Sequence, residues 1–358
     1  MEALGKEQWG VMNTREKQEQ LERDNLSPYA SLSSKSQGRM QAEAECPLRT
    51  AYQRDRDRIV YCRAFRILKH KTQVFLAPTG DHCRTRLTHT LEVSAIGRTL
   101  ARALDLNEDL VEVIALGHDL GHTPFGHAGE TILNELVPGG FSHYRQSLRV
   151  VDVLENHGNG LNLTYEVRDG IAKHSKGYGE VIPADGHGLP ETAEGCLVRY
   201  ADIIAYLSHD LDDAIQVGLI QESDIPDDCR QVFGADHSKR IMAMIEGVLS
   251  ATRPDLESVA PRLVFAVAPR VGDAMQQLRQ FLFHRVYRSP QVHNEYLKAR
   301  KMLRDIFHYC RDNRDFFEAE TAGLLPGSAF ERRICDFIAS MSDRQAQNLY
   351  HRLFVPET

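Results

Sequence analysis

The 358-residue chain is ordinary in bulk, with 26% charged residues, 42% apolar residues and a net charge of −7. A net acidic chain exerts no bulk pull on nucleic acid or on an anionic membrane, so an anionic substrate must be drawn by a local basic cluster. No apolar run reaches the roughly 20 residues that span a bilayer, and the Met1–Lys6 start lacks the apolar stretch of a signal peptide. The seven cysteines are scattered without a Cys-x-x-Cys pair, which predicts reduced thiols in a cytoplasm.

Residues 1–45 are polar and Ser-rich. A short helix is expected over Thr14–Arg23, then Ser27-Pro28-Tyr29, and the whole reads as an arm that orders on the body or on a partner subunit. The next run is densely basic, with Arg54, Arg56, Arg58, Arg63, Arg66, Lys69 and Lys71 broken by apolar residues such as Ile59, Phe65 and Leu68. It reads either as a solvated helix face or as a source of one or two cations for a polyphosphate. A short strand or hairpin is expected around Val74–Arg84.

Long helical patterns follow. Leu87–Leu104 has apolar residues at helical steps. Asn107 is suited to cap Glu108–Leu120, an almost wholly apolar helix that should be buried and that ends in His118 and Asp119. Gly121, Pro124 and Gly126 then force a tight turn. Further helices are expected over Ala128–Leu136, His143–Asn156, Tyr165–His174, Glu191–Gln216, Ser238–Ser250, Val271–Arg285, Val292–Asn313 and Ser328–Phe354, with a loop over Ser175–Pro190. Period-two alternation is scarce, so the fold is expected to be mostly α.

Four residues carry the chemistry. His89, His118, Asp119 and Asp202 form a His…His-Asp…Asp set, which suits one hard or borderline divalent ion with positions left for water and substrate. Such a site makes hydroxide at neutral pH and stabilises phosphoryl charge, which points to a metal-dependent phosphohydrolase. Adjacent helical residues diverge by about 100°, so His118 and Asp119 meet one ion only near a helix end. Asp202, Tyr206 and Asp210 share one helical face, which reads as either an exposed acidic face or an internal polar stripe. In the second case Tyr206 contacts a phosphate or sugar, and Asp210 a sugar hydroxyl. His122 is placed to protonate a leaving oxygen. His127 and His143 are either structural or catalytic, with Glu130 available to orient one of them. Arg86 is the best candidate for a phosphate clamp. No Gly-x-x-x-x-Gly-Lys-Ser/Thr loop is present.

The strings Arg86-Leu-Thr-His89, His118-Asp-Leu-Gly-His-Thr-Pro-Phe-Gly-His-Ala-Gly-Glu130 and the later Asp202 resemble the HD superfamily. Together with Ala64–Phe75, Phe141-Ser-His143, Asp169–His174 and Asp336–Asp343, they resemble its dGTPase-like deoxynucleoside triphosphate triphosphohydrolases. That resemblance implies an arm over 1–45, an HD-domain helical core over 46–220, and additional C-terminal helices packed on the core over 221–358. It implies hydrolysis of a dNTP, dGTP among them, to deoxynucleoside and tripolyphosphate with one Mg²⁺, Mn²⁺ or Fe²⁺ ion. His89, His118, Asp119 and Asp202 would be ligands, and His122, His127, His143 and Glu130 the catalytic group, with His127 as acid. Arg86 and Tyr206 would face the triphosphate and Asp210 the 3′-hydroxyl. It further implies a homo-oligomer, hexamer or tetramer, with a dNTP or single-stranded DNA as activator. Ile67, Ile203 and Tyr144 depart from the family pattern. The alternatives are an HD nucleotide phosphomonoesterase and a non-catalytic nucleotide- or DNA-binding sensor.

Overall fold

The computed structural model describes residues 12–75, 83–175, 188–234, 236–256, 261–321 and 329–356. They are largely helical. Among them the only strand pair is Arg253–Pro254 with Leu263–Val264, antiparallel. The anticipated hairpin falls mostly on residues 76–82, outside the described residues, and its flanks are joined by one antiparallel bridge, Thr72 to Thr85. The Ser175–Pro190 loop also lies mostly outside them. No helix among the described residues is long and apolar enough to cross a membrane.

The N-terminal part runs α1 (Thr14–Asn25), α2 (Ala51–Tyr61), α3 (Arg63–Ile67), α4 (Arg86–Ala103), α5 (Glu108–Gly117), α6 (His127–Leu136), α7 (His143–Arg149), α8 (Glu155–Gly158), α9 (Tyr165–Lys173) and α10 (Ala193–Gln216). Asn107 caps α5 as expected, accepting from Leu110 N at 3.2 Å. Buried α5 is the spine, with α2, α4, α9 and α10 laid around it. The continuous helix expected over His143–Asn156 is instead broken. After α7 comes a π turn over Val150–Leu154, and Asn156 and His157 then adopt positive φ. The chain has to reverse there, because Leu161 N donates to Val151 O at 2.6 Å.

The C-terminal part comprises α11 (Asp227–Phe233), α12 (His237–Ala251), α13 (Pro269–Leu282), α14 (Pro290–Asp312), α15 (Arg314–Thr321), α16 (Phe330–Ala339) and α17 (Asp343–Phe354). The single helix expected over Ser328–Phe354 is two, because Ser342 caps α17 in a reciprocal box with Gln345. Two apolar clusters result. One joins α2, α4, α5, α9 and α10 to α12 and α13. The other packs α6, Phe125 and Phe141 against α14 to α17. The loop between α5 and α6 therefore bridges the clusters, and it carries His118, Asp119 and His122.

The arm is tied to the body by carboxylates. Glu194, fully buried, accepts from Ser31 N at 2.9 Å, Ser31 Oγ at 2.8 Å and Asn107 N at 3.0 Å. Glu166 accepts from Ser36 Oγ and Gln37 N, both at 2.7 Å. Truncating Glu194 strands buried donors, each worth about 1–3 kcal/mol. Glu194→Ala is expected to lower unfolding free energy by about that amount, read by urea denaturation, and to expose the arm to proteolysis before the body.

Three arginines of the basic run are spent on ion pairs. Arg56 reaches Asp109 at 3.3 Å and Glu112 at 3.0 Å, Arg58 reaches Glu43 at 2.7 Å, and Arg54 reaches Glu43 at 3.3 Å. This favours the helix-face reading for these three arginines. Lys71 is buried.

Candidate metal centre and histidine cluster

Thr85 caps α4 and places Arg86 and His89 on its inward side. The apolar α5 carries His118 and Asp119 to the same point at its C-terminal end, and α10 brings in Asp202. The nitrogen and oxygen donors of His89, His118 and Asp119 lie within 4.8 Å of one another. Asp202 Oδ1 is 3.2 Å from His89 Nε2, and Asp119 Oδ1 is 3.6 Å from His118 Nε2. The four expected ligands are thus brought together.

The protons show what the centre is built to hold. His118 Nδ1 donates to Ala115 O at 2.6 Å, which leaves Nε2 as a lone pair. That nitrogen is buried and has no hydrogen-bond partner. A buried unpaired acceptor is costly unless a cation meets it. Burial also lowers the pKa of His118, keeping the lone pair available, despite the pull of Asp119 and Asp202. Asp119 stays ionised well below the usual carboxylate range, because the charges of His118 and Arg86 outweigh its burial. Asp202 is lowered too, burial again being outweighed by His89 and His118. Two imidazoles and two carboxylates are a donor set that fits a divalent ion.

A residue without an assigned role supports His89. His209 Nε2 lies 2.9 Å from His89 Nδ1. On its other side, His209 Nδ1 is 2.8 Å from Asp210 Oδ1, a close electrostatic contact rather than an aligned hydrogen bond. A cation on His89 Nε2 requires the proton at Nδ1, which His209 Nε2 then accepts. Such outer partners orient a ligating imidazole and raise its basicity. His209→Ala is expected to weaken metal binding about 10- to 100-fold, read by titration of the metal-free protein, with little loss of fold.

Asp210, the carboxylate expected at a sugar hydroxyl, accepts from Tyr287 OH at Oδ2 at 2.5 Å and has His209 beside its Oδ1. Tyr206 is half-buried against the first apolar cluster. Arg86, expected at the triphosphate, is buried and bonded to Asp119 Oδ2 at 2.6 Å. Gly126, at φ +55°, passes so close that a Cβ there would lie 3.1 Å from the Arg86 guanidinium. Ile203 is buried in the core, so this departure from the family pattern does not face the site.

Beside the metal centre the remaining imidazoles form a second group. His122 stacks on His143 with centroids 4.7 Å apart. His143 Nδ1 is 2.9 Å from Glu130 Oε1, and its Nε2 is 3.2 Å from His174 Nε2. His174 Nδ1 donates to Ile171 O at 2.8 Å, so its Nε2 is an acceptor. His143 therefore faces acceptors at both nitrogens, an arrangement that favours the imidazolium. Burial opposes that charge, but the hydrogen bond and charge of Glu130 raise its pKa. Burial, reinforced by His118 and His143, pushes His174 down to about 3. His122 falls well below the usual value through burial and the Arg86 charge. His127 is different: its side chain is 76% exposed, at the rim, 3.5 Å from Glu130 Oε2. The structure thus gathers His122, His127, His143 and Glu130 at one flank, together with His174.

Residues 86–208 match the HD domain, and residues 265–352 a phosphohydrolase-associated domain. The chain is 54% identical over 351 residues to a deoxyguanosinetriphosphate triphosphohydrolase-like protein of Desulfatibacillum aliphaticivorans, covering 96% of this chain and 99% of that one. It belongs to the deoxyguanosinetriphosphate triphosphohydrolase-like family. A like-named protein of Caldanaerobacter subterraneus subsp. tengcongensis is 48% identical, covering 96% of this chain and 97% of its own, and one of Geobacter sulfurreducens is 39% identical, covering 94% and 97%. This member of the triphosphohydrolase-like family is an HD-domain phosphohydrolase with a mostly α fold. HD domains bind divalent metals, and His89, His118 and Asp119 form a group with the donor atoms to hold one.

Proposed function

We propose that this protein hydrolyses deoxynucleoside triphosphates, dGTP first among those to test, to deoxynucleoside and tripolyphosphate. The observation that carries the reading is the partnerless buried His118 Nε2, converging with His89, Asp119 and Asp202, beside a positively charged group of Arg86 and His143. The printed names of the relatives, deoxyguanosinetriphosphate triphosphohydrolase-like, supply the substrate class.

One divalent cation, Mg²⁺, Mn²⁺ or Fe²⁺, would act there as a Lewis acid on phosphoryl oxygen and on water. The chain's own residues supply the rest. Arg86 and the His143 imidazolium set a positive potential where phosphoryl charge builds up, in a buried site where such groups act strongly. His122, neutral and stacked on His143, offers its unpartnered Nδ1 as one hydrogen-bonding atom. His127, open to the rim, is the acid for the leaving 5′-oxygen, and Glu130 orients both it and His143.

The test is anion-exchange analysis of products from purified protein with each dNTP, alone and mixed, in Mg²⁺ or Mn²⁺. Equimolar tripolyphosphate and deoxynucleoside support the reading. Orthophosphate alone indicates a phosphomonoesterase, and absence of product in every condition a sensor. Activity confined to mixtures, or appearing only with added single-stranded DNA, adds an activator site. The reading extends to a homo-oligomer of tetramer or hexamer size, checked by light scattering.

A further inference from the structure

Two stretches singled out by the sequence take no direct part in this chemistry: Ala64–Phe75 and Asp336–Asp343. The structure joins them behind the loop that carries the histidines. Asp343 opens α17, and its Oδ1 accepts from Phe125 N at 2.9 Å. Its Oδ2 accepts from Thr72 N at 2.9 Å and from Thr72 Oγ1 at 2.5 Å. Buried Lys71 donates to His122 O, and to Ala339 O at 2.8 Å, so it ties the same loop to the end of α16. Lys71 O in turn accepts from Arg86 N at 3.0 Å. One short stretch, Lys71-Thr72, therefore links the histidine loop, the start of α4 and the C-terminal helices.

Within α17 a carboxylate at position 343 meets only the general preference of a helix start for negative charge. The helix start is already satisfied by the reciprocal box of Ser342 and Gln345, and its packing uses Ala346 and Leu349. The bonds Asp343 makes leave its own helix for Thr72 and Phe125. What they hold is under strain: Phe125 has φ +61°, a left-handed conformation uncommon for a bulky residue, and such backbone persists only where its surroundings over-determine it. The positive end of α17 keeps the charge in place.

We propose that Asp343 is a positioning residue. Through Phe125 N and Thr72 it fixes the loop bearing His122 and His127, so the C-terminal helices set turnover and leave metal binding alone. The turnover half rests on the hydrolase reading above, whereas the structural half does not.

The experiment uses the full chain and two variants, Asp343→Asn and Ser342→Ala. The second weakens the same helix by removing its cap and leaves the loop contacts intact. Hydrogen exchange by mass spectrometry on metal-free protein reads the loop directly. In Asp343→Asn the peptide spanning residues 120–128 is expected to exchange on the order of tenfold faster, and in Ser342→Ala it should match wild type. Turnover of Asp343→Asn is expected to fall about 10- to 100-fold in kcat, with KM nearly unchanged and metal per chain equal to wild type. Unchanged loop exchange overturns the proposal, as does faster exchange with full kcat or the same losses in Ser342→Ala. If wild type turns over no dNTP, the hydrolase reading fails, while loop exchange still decides whether Asp343 holds the loop.

Discussion

Replacing His118 by alanine is expected to remove the bound cation and to lower turnover at least about a thousandfold, with the fold retained. The argument rests on the atom removed. His118 Nε2 is buried, has no hydrogen-bond partner among the described residues, and points to where His89 and Asp119 place their donors. The imidazole's one hydrogen bond, from Nδ1 to Ala115 O, turns the ring and does little to hold the helix. Losing a ligand from a four-donor set drops affinity, and Lewis-acid stabilisation of phosphoryl charge is worth several kcal/mol. At about 1.4 kcal/mol per tenfold in rate, a thousandfold loss is a modest expectation. Metal content by plasma mass spectrometry should fall from one equivalent per chain towards zero, while the thermal midpoint of the variant matches that of metal-stripped wild type. A variant that retains both metal and turnover would remove His118 from the centre.

The sequence made the metal set legible for a physical reason. His118 and Asp119 end an otherwise apolar helix, where polar groups are expensive unless bound to something. Asp202 stands in an apolar helix of its own. Harder to see was how far that second stripe reaches. Residues 202 and 210 share a face but are two turns apart, about 12 Å along the axis. Asp210 therefore lies away from Asp202 along the helix and meets Tyr287 from a π turn far along the chain. Nothing local to His209 announced its contact with His89, because packing of α10 on α4 makes it. The division between α16 and α17 has a local signal, because Ser342 followed by Gln345 is a capping box. The contacts of Asp343 with Phe125 and Thr72 span the whole molecule, and no spacing rule reaches that far.

The second large effect concerns Glu130. Its Oε1 receives both the backbone N–H of His143, at 2.8 Å, and the ring Nδ1, at 2.9 Å. Burial alone would drive His143 neutral. The hydrogen bond and charge of Glu130 reverse that, so the His143 pKa stands above its ordinary value. Glu130 is itself held far below the carboxylate range, burial being outweighed by its bonds to His127 and His143. In Glu130→Gln the charge is gone while the burial remains, so the His143 pKa falls. The sign then follows. A step that needs the imidazolium proceeds below the His143 pKa and fails above it, so lowering that pKa moves the alkaline fall in rate to lower pH. At neutral pH kcat is expected to drop about 100-fold or more, the range for a positioned acid or charge in the transition state. Part of that loss should return on acidification. Stability moves in the same sense: a histidine with a raised folded pKa stabilises below its unfolded value, and the gain disappears as pH rises through the folded one. The variant should therefore lose most stability, relative to wild type, on the acid side of that window and above the ordinary carboxylate range. Rate profiles against pH for wild type and Glu130→Gln, with histidine resonances followed in metal-free protein, measure both effects. Coincident profiles would mean that the His143 proton plays no part in turnover.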